Sequence, residues 1–154
     1  MALIRALSGG SGGGGIDELK IIDTTSGCSY SSSSAYSGYS AQNAFDCNLK
    51  GAGFYPASSS YSGAYLRIDL GTSRHIKAIG FGLQFSTYNF SITHVFDVQY
   101  GSSYTTKEQK TITFPADESA TVQIFPIDIE SQYIGFSWVS CDHASSSVKI
   151  LLFE

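Results

Sequence analysis

From Ala64 to the end of the chain, apolar and polar residues alternate with a period of two in several short runs. Leu66, Ile68 and Leu70 share one face, with Arg67 and Asp69 on the other. Ile79, Phe81, Leu83 and Phe85 alternate with Gly80, Gly82 and Gln84, and Phe96, Val98 and Tyr100 alternate with Asp97 and Gln99. Ile112 with Phe114, and Val122 with Ile124, give two shorter runs. Ile134, Phe136 and Trp138 give another, and Val148, Ile150 and Leu152 close the chain. Successive side chains of a strand point to opposite faces, so each run predicts a half-buried β-strand. The runs are rich in β-branched and aromatic residues and are separated by Gly, Ser, Asn, Asp and Pro, the residues of turns.

No window of helical length carries a sustained 3.6-residue stripe. Many short strands without crossover helices cannot build a parallel sheet, so the expected fold class is all-β, an antiparallel β-sandwich or jelly roll. Residues 1–7 read as a short apolar, strand-like arm, and Ser8 to Gly15 as a flexible Gly/Ser tether. Residues 16–154 form the single globular domain. Within it, Thr24 to Ser62 is the longest irregular stretch, packed with Ser, Tyr and Gly. A loop region that long in a compact domain is usually functional.

A length of 154 residues is enough for one domain with one sizeable core. Only 14% of residues are charged and the net charge is -4, with the basic residues scattered. That leaves no electrostatic footprint for nucleic acid or for an anionic membrane surface. No apolar run reaches the roughly 20 residues of a membrane span. The apolar start, Met1 to Leu7, is too short for the core of a signal peptide. Synthesis in the cytoplasm, or export by a route that needs no such signal, is therefore expected, and a place in a virion or an assembled surface structure is compatible with it. Cys28, Cys47 and Cys141 are odd in number and form no C-x-x-C pair, which speaks against a zinc or redox motif. Free thiols are the expected state, with a Cys28–Cys47 bridge as the alternative in an oxidising medium.

Two glycine-rich matches dissolve on inspection. Gly10, Gly12 and Gly15 have dinucleotide-fingerprint spacing, but no helix of the required length follows and no βαβ pattern surrounds them. Gly9, Ser11 and Gly13 mimic a nucleophile elbow in a tract that cannot hold its strained turn. His75, His94 and His143 lack metal-ligand spacing. Asn89-Phe90-Ser91 is a glycosylation sequon, meaningful only on a eukaryotic secretory route. With no charged catalytic constellation, an enzyme is the least favoured class.

Two stretches carry a family pattern. Tyr39 to Asn48 (YSAQNAFDCN) and Ala64 to Gly71 (AYLRIDLG), the latter followed by Ile76 and Ile79, resemble the opening turn and first strand pair of discoidin, or coagulation factor F5/8 type C, domains. Phe96 to Ser102, Gln132 to Phe136 and Val148 to Glu154 are similar to later strands of that family, in the same order. Two departures stand out: Cys47 replaces the Gly usual in the turn, and the Trp that normally follows it is absent, with Phe54 and Tyr55 nearest. The resemblance implies a discoidin-like jelly roll and a binding rather than a catalytic role.

It also implies a structural calcium at this turn, for which Asp46, Asn48 and Glu154 are the candidate ligands; hard cations take oxygen donors, which these supply. The alternative is an Asx-type turn without metal. For glycan binding, an aromatic platform must meet a sugar's apolar face while polar groups answer its hydroxyls. Tyr36, Tyr39 and Tyr55 are the expected platform, with Tyr88, Asn89 and His94 as further contacts. The expected function is thus a non-catalytic, lectin-like glycan-binding domain for attachment or adhesion. The rival is a structural or decoration protein of a virion or appendage, assembled as a homo-oligomer or larger particle. In that reading the arm, Ala2 to Leu7, adds as a strand to another chain or sheet edge, the tether from Ser8 to Gly15 reaching roughly 15 Å; a free tail is the alternative.

Overall fold

The computed structural model describes the backbone of residues 4–6, and residues 19–58, 60–84, 88–117, 121–143 and 146–154. Its elements are β1 (Ile4–Ala6), β2 (Ser29–Ser32), α1 (Ala41–Ala44), β3 (Tyr65–Leu83), β4 (Ile92–Tyr100), β5 (Thr106–Phe114), β6 (Val122–Cys141) and β7 (Val148–Phe153).

Two long strands form the spine. β3 and β6, of 19 and 20 residues, pair antiparallel from Tyr65↔Ser137 to Gly82↔Val122. The register shifts between Asp69 and Arg74 and again between Ile76 and Ala78. Extra residues of this kind bend a strand, and here they divide the pair into two halves. The first half carries β2 on one side and β4 then β5 on the other, in the order β2-β3-β6-β4-β5. The second carries β7 beside β3 and β1 beside β6. The halves face one another: Phe81 of β3 stacks on Phe96 of β4 with ring centroids 4.8 Å apart and planes 17° apart. Phe114 and Trp138 close around the same ring. The all-β, discoidin-like sandwich read from the alternation is therefore present, made from one sheet folded over on itself.

The runs 66–70 and 79–83 turn out to be one strand, as do 122–124 and 134–138. The register shifts between them break the alternation, so periodicity alone splits each strand in two. Phe85 lies outside the described residues. The Thr24–Ser62 region, expected to be irregular, contains the edge strand β2 and the single turn α1. Residues Ile4–Ala6 run parallel to Val122–Ile124 of the same chain; the rest of the arm and the tether lie outside the described residues.

β7 is buried on both faces. Val148, Ile150 and Leu152 point into the main core, whereas Leu151 and Phe153 join Ala78, Val122 and Ile124 in a second apolar cluster outside it, flanked by Leu19 and Leu49. Among the described residues no helix is long and apolar enough to cross a membrane. All three cysteines are free thiols.

Candidate functional site

Three tyrosines of the long loop region are tied together through their backbones. The N–H of Tyr36 donates to the carbonyl of Tyr55 at 3.0 Å, that of Tyr55 to Tyr39 at 3.2 Å, and that of Tyr39 to Tyr36 at 2.9 Å. The three bonds close a ring. A bridge between Ala35 and Pro56 holds the two arms of the loop together just beside it. The side chains follow from this frame: Tyr36 and Tyr55 stack at 5.4 Å, and Tyr39 meets Tyr55 edge-on at 6.1 Å.

These rings line one cleft of about 300 Å³ together with Gln84 and Ser147. Gln84 follows the last residue of β3 and Ser147 precedes β7, so the end of the sandwich supplies the opposite wall. That wall is fixed by hydrogen bonds. Ser147 Oγ accepts from the N–H of Gly53 at 2.9 Å and donates to Gln84 Oε1 at 3.0 Å, and the N–H of Gln84 donates to the Ser147 carbonyl at 2.7 Å. Gly53 cannot be anything larger, because a Cβ there would lie 2.0 Å from the carbonyl oxygen of Val148. Behind the platform, buried Tyr61 packs edge-on to Tyr55 at 6.0 Å and donates its hydroxyl to the Ser146 carbonyl at 2.7 Å. Burial pushes the Tyr61 phenol well above its ordinary range, so it stays a neutral donor. No charged side chain is among the described lining residues. The cleft is shallow, aromatic on one side and amide and hydroxyl on the other.

The other sugar candidates are placed elsewhere. Tyr88 is half-buried against the main core and Asn89 is exposed; neither is among the described lining residues. His94 requires a correction. It is 1% exposed, surrounded by Tyr61, Phe81 and Phe114, and accepts the Trp138 indole N–H on Nδ1 at 3.1 Å. Burial lowers its pKa to about 4, so it is a neutral core residue out of reach of a ligand. Gln84 and Ser147 were missed, since nothing in their local sequence marks them; only the strand ends bring them to the tyrosines.

The proposed calcium ligands do not converge. Asp46 Oδ1 accepts the N–H of Asn48 at 2.8 Å, which makes an Asx turn, and also takes the ammonium of Lys149 at 2.7 Å. Asn48 Oδ1 accepts from the N–H of Lys50 at 3.2 Å. Glu154 lies five residues beyond Lys149, about 16 Å along the strand, where Arg74 Nε and Nη2 bind its carboxylate at 3.1 and 2.5 Å. Of the three expected ligands, Asp46 is thus held by Lys149 and Glu154 by Arg74. Cys47, in the position where the resemblance expects Gly, has a φ of 58°. The turn keeps the left-handed backbone that glycine would adopt freely.

No family model matches the chain, and no curated protein sequence matches it. Solved structures do. The family 32 carbohydrate-binding module of C. perfringens NanJ, solved with galactose, aligns with a TM-score of 0.64 over 88% of this chain and 99% of that one, at 15% identity. This chain has the fold of such modules. The family 32 module of AlyQ, in complex with 4,5-unsaturated mannuronic acid, aligns at 0.62 over 88% and 98%, with 17% identity. A further module from Clostridium perfringens, in complex with GalNAc-β-1,3-galactose, aligns at 0.61 over 88% and 100%, with 7% identity. Each alignment spans nearly the whole of the matched module.

Proposed function

We propose that this domain is a non-catalytic glycan-binding module whose site is the cleft of Tyr36, Tyr39, Tyr55, Gln84 and Ser147. The observation that carries the reading is the ring of backbone hydrogen bonds that sets three tyrosines around an uncharged cleft. Aromatic faces bury the C–H face of a pyranose, and the Gln84 amide, Ser147 hydroxyl and phenol hydroxyls answer its rim. The absence of charge from the described lining favours a neutral sugar over a uronic or sialic acid. Support from the fold is independent, since the neighbouring structures named above are carbohydrate-binding modules with sugars bound.

A cleft this open binds one sugar weakly, so attachment or adhesion would come from several copies acting together. The test is a glycan array probed with the domain in multivalent form, followed by titration calorimetry of the monovalent domain against the best ligand. Binding to a set of neutral glycans with a shared terminal sugar is expected. An array without ligands, or one dominated by acidic glycans, would overturn the reading.

A further inference from the structure

Lys149 is the second residue of β7, and its side chain leaves the face opposite Val148 and Ile150. A lysine on the outside of a sheet ordinarily reaches solvent with its charged end. This one is 1% exposed. Its Nζ lies 2.5 Å from the carbonyl oxygen of Asn43, 2.7 Å from Asp46 Oδ1 and 2.9 Å from the carbonyl oxygen of Ala52. An ammonium has three N–H donors, and each of these has an oxygen acceptor. One acceptor is anionic, so the buried positive charge is paired as well as hydrogen-bonded, as burial requires. The set of one carboxylate and two carbonyls is also the kind of oxygen shell that a hard cation takes. A divalent ion entering it would sit against the ammonium, or would have to expel a side chain that is covalently attached.

We propose that the Lys149 ammonium is the resident cation of the 41–53 loop, so the domain holds this loop with an internal charge and does not depend on calcium. The clamp joins Asn43, Asp46 and Ala52, which span most of the segment between Tyr39 and Tyr55. A loop held by a dissociable ion loosens as the ion is withdrawn, whereas a tethered ammonium is always present. The proposal does not rest on the sugar reading, and its test measures stability alone, so either can fail without the other.

The experiment is thermal unfolding of the full chain in excess chelator and in millimolar calcium, with wild type and Lys149→Met compared. The wild-type midpoint should be the same in both buffers. Lys149→Met should lose about 5 °C in chelator, because it leaves a half-buried carboxylate and two carbonyls without their donor. A calcium-dependent rise in the wild-type midpoint overturns the proposal, as does a Lys149→Met midpoint in chelator equal to that of wild type. Should that variant not fold, lysine acetylation of the native wild-type chain decides instead. Lys149 should stay unmodified in chelator while exposed Lys50 reacts; modification of both at similar rates overturns the proposal.

Discussion

The indole N–H of Trp138 donates to Nδ1 of His94 at 3.1 Å, in the middle of the sandwich. That bond fixes the tautomer, because a nitrogen that accepts cannot also carry the proton. The proton then sits on Nε2, which faces Cys141 Sγ at 3.6 Å, and the thiol in turn donates to the carbonyl of His143 at 3.4 Å. Burial lowers the imidazole pKa to about 4 and raises that of the Cys141 thiol to about 11. Both groups are neutral at pH 7, and the thiol is no nucleophile.

The buried histidine makes stability depend on pH. In the unfolded chain His94 takes up its proton near pH 6.5; in the folded chain it does so only near pH 4. Between those values the unfolded state binds more protons, so stability is full above pH 6.5 and falls as pH drops towards 4. The shift corresponds to about 3 kcal/mol. Denaturant midpoints measured from pH 7 to pH 4 should fall more steeply for wild type than for His94→Gln, which keeps an acceptor for Trp138 but does not titrate. Parallel curves for the two proteins would show that the histidine is not buried as described.

Tyr36 is 45% exposed and makes its backbone bonds whatever its side chain. Tyr36→Ala should therefore cost no more than about 0.5 kcal/mol of stability. Its affinity for a glycan ligand should drop about tenfold, the equivalent of about 1.4 kcal/mol of lost stacking. Tyr55→Ala should weaken binding at least as much, since both other rings pack on it. Calorimetry on both variants beside their melting curves separates the two effects, and unchanged affinity in both would remove the cleft from consideration.

Cys47 holds a left-handed backbone with a side chain that disfavours it. Cys47→Gly removes that strain but adds freedom to the unfolded chain and gives up the 3.5 Å contact of Sγ with Thr24 Oγ1. The net expectation is a gain of up to about 1 kcal/mol, read as a higher urea midpoint at unchanged slope. A loss of stability would mean that the thiol's contact outweighs the strain.

The strands were legible because each half-buried run states its period within a few residues. His94 was legible too, had the period been applied to it. Ile92, His94, Phe96 and Val98 share one face of β4, and that face is buried throughout. Reading a histidine as polar hid this. Lys149 was not legible. Its place on the outer face follows from Val148 and Ile150, but its burial depends on the 41–53 loop lying over that face, which no local pattern records. The same holds for Gln84 and Ser147, whose meeting with Tyr36, Tyr39 and Tyr55 is a matter of which strand ends share one end of the sandwich. Tyr36, Tyr39 and Tyr55 were singled out by composition, as members of a Ser-rich region with seven aromatics, of which Phe45, Phe54 and Tyr61 go into the core.

The ring through residues 36, 39 and 55 is written in main-chain atoms that every amino acid except proline possesses. The platform's geometry is thus separable from its chemistry: the scaffold specifies where three side chains stand, and the side chains specify what they meet. Substitution at these three positions can retune the surface while the loop keeps its course, so a library varied there, with Gly53 and Ser147 left untouched, would sample ligands on a constant frame.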